Sequence, residues 1–175
     1  MDMRTRISFQ RSGLPRRFWV RDIVPQAQVK AWWDDSTNIL FDMAADTYGQ
    51  GLVLCGPQAT AQAAWLFREC LSDDLPTLWV DWSALADDIR DRDERGAAVD
   101  EALHPSVLII DQVDMNRQEW LSQVLTRIIK GRYDAGKPTI LTTFRPVDTA
   151  RSALSICFDF DPNVVSFVET LGAEG

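Results

Sequence analysis

Short apolar runs punctuate the chain at regular intervals. Gly51-Leu52-Val53-Leu54-Cys55 is closed by Gly56-Pro57. Thr77–Asp81 and Val107–Asp111 each end on an acid, and Thr139–Thr143 is opened by Pro138. Ile156-Cys157-Phe158-Asp159-Phe160 alternates apolar residues around Asp159 and reads as a fifth strand. Runs this short, bounded by turn residues, are the pattern of strands buried on both faces. Between them the period lengthens. Pro25 to Tyr48 suits one or two helices, with Pro25 near the first turn. Ala61 to Leu71 suits a buried helix, and Ser83 can cap a helix from Ala84 to about Arg95. Asp100 to His104 leads into the third strand. Gln118 to Tyr133 carries Trp120, Leu121, Val124, Leu125, Ile128 and Ile129 at helical spacing, with Gly136 as its stop. Strands alternating with helices predict an α/β fold, a three-layer sandwich around a mainly parallel sheet.

Composition narrows the class. At 175 residues, 46% of them apolar, the chain is expected to be a single globular domain over 25–175, preceded by a basic arm over 1–24. No apolar stretch approaches the roughly 18–20 residues of a membrane span. Met1-Asp2-Met3-Arg4-Thr5-Arg6 has no apolar segment behind it, so no secretory signal is expected. Cys55, Cys70 and Cys157 lie far apart among apolar neighbours, the pattern of buried thiols in a reducing compartment, which points to the cytoplasm. His104 has no metal-ligating neighbour in sequence, and no metal site is expected.

Charge is uneven. Net charge is −8, but residues 1–21 hold Arg4, Arg6, Arg11, Arg16, Arg17 and Arg21 against Asp2, a surplus of +5 that leaves −13 on the rest. Such an arm can meet nucleic acid or an acidic partner, or pair with the body's own carboxylates; charge alone leaves these open. Phe18-Trp19 and Trp32-Trp33 fall outside the predicted sheet. They are candidate anchors on a protein partner, candidate stacking platforms for single-stranded DNA, or core. Trp65, Trp79 and Trp120 fall on predicted core faces.

The turn after the first strand carries the chemistry. A nucleoside triphosphate site needs a glycine-rich turn whose amides cradle phosphates, a lysine for their charge and a hydroxyl for magnesium, spaced G-x-x-x-x-G-K-[ST]. Here the stretch reads Gly56-Pro57-Gln58-Ala59-Thr60-Ala61-Gln62-Ala63. The first glycine stands, but Ala61, Gln62 and Ala63 occupy the glycine, lysine and hydroxyl positions. Downstream, Asp111 closes an apolar strand where a magnesium-orienting acid belongs. Gln112 follows it, similar in shape to a glutamate but unable to accept a proton. Losing both the lysine and the metal ligand removes about 3–6 kcal/mol of binding.

These residues resemble the AAA+ core of the DnaC/IstB-like family of replicative-helicase loaders and transposition ATPases. The likeness begins at Ser12-Gly13-Leu14-Pro15-Arg16-Arg17-Phe18 and continues through Gly51–Pro57, Trp79–Leu85 and Val107–Gln112. It is most specific from Arg127 to Thr143, where Gly131-Arg132-Tyr133-Asp134-Ala135-Gly136-Lys137-Pro138 is similar to the family's helix, turn and sensor strand. The resemblance implies a P-loop NTPase fold without the helical lid. It also implies that the Walker A lysine position is Gln62, the Walker B glutamate position is Gln112 and the sensor-1 asparagine position is Phe144. Arg145 and Arg151 are candidates for an arginine finger. Together the departures imply a pseudo-ATPase that uses neither ATP nor magnesium. Its expected partners are a replicative helicase, a helicase loader or another AAA+ protein, with adaptor and inhibitor both open. A nucleic-acid-binding module using the arginine arm, and a loader with residual ATP binding, are the competing readings.

Overall fold

The computed structural model describes residues 13–19, 22–41, 50–114, 119–159, 161 and 165–172, the side chains of 37–41 excepted. Six helices appear among them: α1 (Ala27–Phe41), α2 (Ala59–Ser72), α3 (Trp82–Arg90), α4 (Arg95–Leu103), α5 (Glu119–Asp134) and α6 (Val147–Leu154). Five strands, β1 (Gly51–Cys55), β2 (Thr77–Asp81), β3 (Val107–Asp111), β4 (Thr139–Thr143) and β5 (Val165–Glu169), form one sheet in the order β2-β3-β4-β1-β5, parallel throughout. The first four strands have the bounds expected from the sequence.

The sheet divides the core in two. On one face Leu52, Leu54, Ile109 and Ile140 pack with Phe67 of α2 and with Val29, Trp32 and Trp33 of α1. On the other, Val53, Leu108, Ile110 and Leu141 pack with α3, α4, α5 and α6. Alternate residues of each central strand thus face opposite layers, which is why those strands read as unbroken apolar runs.

Three expectations are corrected. Residues 156–159 are not a strand: Ser155–Phe158 is a 3₁₀ turn continuing from α6, Phe160 lies outside the described residues, and the fifth strand among those described is Val165–Glu169. Leu154, Cys157 and Phe158 are buried while Ile156 is exposed, so the spacing is i, i+3, i+4, the period of a helix. The Phe158 ring lies where a side chain on Gly51 would be, 2.4 Å from a Cβ built there. Second, α4 was not anticipated. Its buried positions are Ala98 and Ala102, side chains too small to give a strong hydrophobic period. Third, the cap of α3 is Asp81, whose Oδ1 accepts hydrogen bonds from the Ser83 and Ala84 amides. Trp120 is also more open than expected, 38% exposed beneath the guanidinium of Arg95.

Arg132 of α5 locks the layer of α4 and α5 onto the sheet. It is fully buried. Nε donates to Thr139 Oγ1, Nη1 to the Ala102 and Pro105 carbonyls, and Nη2 to the Ser106 and Pro138 carbonyls. All five guanidinium hydrogens are therefore used. Burial pulls its pKa down to about 9, which still leaves it charged at neutral pH.

The three cysteines are free and buried, as expected. Burial pushes Cys55 and Cys157 up to about 11 and Cys70 to about 12. Arg132→Leu is expected to destabilise the fold by about 3–5 kcal/mol, because four carbonyls and a hydroxyl lose their donor in the interior. Arg132→Lys, with three donors, should recover only part of this. Urea unfolding midpoints of the three proteins check it.

Candidate functional site

Ligands in open parallel sheets bind outside the carboxyl ends of the strands, and the motif residues converge there. β1 ends at Cys55, and Gly56 turns with φ +98°, a conformation natural to glycine. A Cβ at Gly56 would lie 2.9 Å from the Thr170 carbonyl oxygen. Only Gly56, Pro57 and Gln58 separate β1 from α2, which begins at Ala59, inside the motif. Alanine in place of glycine at 61 removes backbone freedom and favours helix by up to about 1 kcal/mol. The helix accordingly extends into what would be phosphate loop.

The turn's donors are spent within the chain. The Gly56 amide donates to the Thr143 carbonyl, the Ala59 amide to the Gly56 carbonyl, and the Gln58 amide to Thr170 Oγ1 at 3.1 Å. The Thr170 hydroxyl itself donates to the Cys55 carbonyl at 2.6 Å. Thr170, 115 residues from Cys55 in sequence, is a site residue that the motif gave no reason to single out. Only its place directly after a strand that pairs with β1 could have found it.

Gln62, at the lysine position, is 4% exposed and does not point to an open site. Its Oε1 accepts from the Gln26 amide at 2.9 Å and its Nε2 donates to the Val24 carbonyl at 3.0 Å. Gln26, with its amide oriented to suit its neighbours, donates to the Glu169 carbonyl and accepts from the Leu171 amide. Gln62 is thus a strap that fastens the entry segment over α2 and β5. Ala61 and Ala63 are buried with the α2 core.

Asp111 is closed off in a different way. Its Oδ1 accepts from Thr60 Oγ1 at 2.8 Å and from Thr142 Oγ1 at 2.6 Å. Thr142 Oγ1 in turn accepts from the Gln112 amide at 2.8 Å, and Gln112 sits at φ +59°. Burial holds the Asp111 carboxyl above its ordinary value of 3.8, against the pull of the Thr142 and Thr60 hydroxyls, and Asp81 beside it adds to the rise.

Phe144, at the sensor position, is 62% exposed, and Arg145 after it pairs with Asp114 at 2.6 Å. Arg151 lies over the Phe167 ring. Leu171 is 70% and Val24 83% exposed. Their backbones meet Gln26 and Gln62, so Val24 and Leu171 leave apolar side chains exposed beside the end of β5, while Phe144 is exposed at the end of β4.

The arm residues separate into two groups. Arg4, Arg6, Arg11 and Arg21 lie outside the described residues. Arg16 and Arg17 are exposed, stacked over the Trp19 and Phe18 rings. Phe18, Trp32 and Trp33 are buried at 3%, 7% and 5% exposure. This corrects their candidacy as surface anchors or stacking platforms: they fill the layer between α1, α2 and the sheet. Trp19 is part-buried, with Nε1 donating to the Leu14 carbonyl.

Against a nucleoside triphosphate with magnesium, the residues present do not fit. The amide of Gln58 is taken by Thr170, the lysine position is tied to the entry segment, and both hydroxyls near Asp111 are turned onto it. Among the described residues, no group of three or more His, Cys, Asp or Glu side chains could hold a metal ion, and no helix is long and apolar enough to cross a membrane.

Comparison with known proteins gives a fold likeness at low identity. No protein-family model and no curated protein sequence matches the chain. Among solved structures, AMPPCP-bound DnaA from Aquifex aeolicus aligns at TM-score 0.66 and 11% identity, over 90% of this chain and 51% of that one. The chain therefore spans about half the length of that initiator. DnaI aligns at TM-score 0.65 and 17% identity, over 91% of this chain and 93% of that one. The DnaC helicase loader aligns at TM-score 0.64 and 15% identity, over 90% of this chain and all of that one (100%). The fold is the α/β P-loop NTPase-like fold of AAA+ cores in helicase loaders and DnaA.

Two outcomes follow from the geometry. An acid whose folded pKa is raised gives stability that is full below its unfolded pKa and is lost as pH rises through the folded value. Asp111→Asn removes that titration, so the stability of the variant relative to the parent should improve from pH 4 to pH 7, read as urea midpoints at each pH. The combined Gln62→Lys, Ala63→Thr, Gln112→Glu variant should give no saturable heat with millimolar ATP and magnesium in calorimetry. Restored binding would mean that only side chains, and not the cradle, were lost.

Proposed function

We propose that this chain is a non-catalytic DNA-replication protein built on an AAA+ core. It acts by binding a replicative helicase, a helicase loader or another AAA+ subunit. The observation that carries this reading is the internal occupation of the phosphate turn, Thr170 Oγ1 on the Gln58 amide and Gln62 on Val24 and Gln26. A site kept for ATP leaves those donors free for phosphate. The fold likeness to DnaC and DnaI supplies the replication context.

A pseudo-ATPase keeps its surfaces, and Val24, Phe144 and Leu171 are candidate contacts on them. All three are exposed apolar side chains that follow the carboxyl ends of the strands or lie on the entry segment, and such side chains serve protein contacts where they come together. Such a contact needs neither ATP nor magnesium. Burial of Phe18, Trp32 and Trp33 removes three of the four aromatic side chains proposed for base stacking and so weighs against it as the main activity.

Affinity capture from the native cell should recover a replicative helicase, a loader or another AAA+ protein with the full chain. Phe144→Asp with Leu171→Asp should lose that protein while unfolding at the parent's urea midpoint, since both side chains are exposed. Capture of nucleic acid alone, lost on adding salt, would favour the arginine-arm reading instead.

A further inference from the structure

The sheet has an open edge at β2, which pairs with β3 on one side only among the described residues. A groove follows that edge. Two cavities of about 350 and 370 Å³ make it up, and both are lined by Leu78 and Glu101. Asp81, Asp88 and Glu101 put three carboxylates along it, over an apolar floor that includes Val80 and Leu85. No ion pair reaches any of the three among the described residues. An unpaired strand edge is a template for a further strand, and carboxylates outside ion pairs favour guanidinium groups, Asp88 and Glu101 more than Asp81, whose Oδ1 already caps α3.

The chain itself enters this groove. Gly13 lines it, so close to β2 that a Cβ there would lie 2.2 Å from the Trp79 carbonyl oxygen. Residues 1–12, outside the described residues, carry Arg4, Arg6 and Arg11 against Asp2. Thr5, Ile7 and Phe9 alternate with Arg4, Arg6 and Ser8, a two-residue period that puts Arg4 and Arg6 on one side and apolar or β-branched residues on the other, where Arg11 follows them. Twelve extended residues reach about 40 Å, whereas a five-residue strand edge is about 17 Å long.

We propose that this amino-terminal segment is the occupant of the β2 groove, its Arg4 and Arg6 paired with Asp88 and Glu101. Tethering at Gly13 gives it an effective concentration on the order of millimolar, beyond that of a free competitor. The proposal stands apart from the partner-binding reading, and it assigns the basic arm to the acidic body instead of to nucleic acid.

Hydrogen exchange of the full chain, compared with a chain starting at Gly13, tests it. The β2 amides should exchange at least about tenfold faster without the segment, while those of β1 and β4 are unchanged and report an intact fold. A full-length Arg4→Glu, Arg6→Glu, Arg11→Glu variant should show the same loss, and so guards against a truncated chain that fails to fold. Arg6→Cys with Glu101→Cys should cross-link within one chain under mild oxidant, since the native thiols are buried. Unchanged β2 protection in both altered chains overturns the proposal. So does cross-linking only between chains, which would identify a second copy as the occupant. Loss of DNA binding in the Arg→Glu variant with β2 protection retained would assign the arm to nucleic acid and overturn it equally.

Discussion

One carboxylate oxygen holds the carboxyl end of the sheet together. Asp111 Oδ1 takes the hydroxyl hydrogens of Thr60 from α2 and Thr142 from β4, and Thr142 accepts the Gln112 amide in return. Three elements far apart in sequence are thereby fixed to one atom, in a buried place where each hydrogen bond is stronger than in water and each missing one is costly. Everything else at that end follows this closure. α2 can begin early because nothing has to fit between it and β3, and the hydroxyl of Thr60 faces inward because Asp111 accepts it. The carboxylate that would organise a metal in an ATPase here organises the protein.

A second closure, at β5, completes the first. Thr170 spans the Cys55 carbonyl and the Gln58 amide, and Gln26 and Gln62 lace the entry segment to the same strand end. Substitutions at the motif would by themselves leave an empty loop with unsatisfied amides, a state that buried backbone rarely tolerates. The Thr170 hydroxyl takes the Gln58 amide and the Thr143 carbonyl takes the Gly56 amide, while the two glutamines tie the entry segment to α2 and β5 beside them. The residues that depart from the motif at 61, 62 and 63 thus stand beside Gln26 and Thr170, which bind the same end of the molecule together. This is the pattern of a rebuilt end of the molecule, one that matches its neighbours across 115 residues of sequence.

How far this could be read beforehand depended on whether a signal was local. β1 to β4 were legible to the residue, because each is a continuous apolar run between turn residues. The parallel sheet followed from their alternation with helices. α4 was hidden because alanines carry its buried face, and 156–159 was misread because so short a window fits both periods. At the site, the absent lysine, glutamate and asparagine were plain as identities. What took their place was not, because Thr170, Gln26 and Val24 reach the turn through the tertiary fold and belong to no motif. Tryptophans 32 and 33 show the same limit: an aromatic pair outside a predicted sheet has no sequence mark that separates core from surface. The run from Gly131 to Pro138 was recognisable, but only the structure gives its physical reason, a guanidinium that needs five acceptors held by one helix end and two strand entrances.

The placement of β1 bears on how the molecule is made. Its two neighbours in the sheet are β4 and β5, so both come from the carboxyl-terminal third of the chain. During translation at about 5–20 residues per second, this strand leaves the ribosome many seconds before either neighbour exists. In that interval nascent Leu52 and Leu54 have α1 and α2 to pack on but neither strand neighbour, and the central seam of the sheet is sewn last.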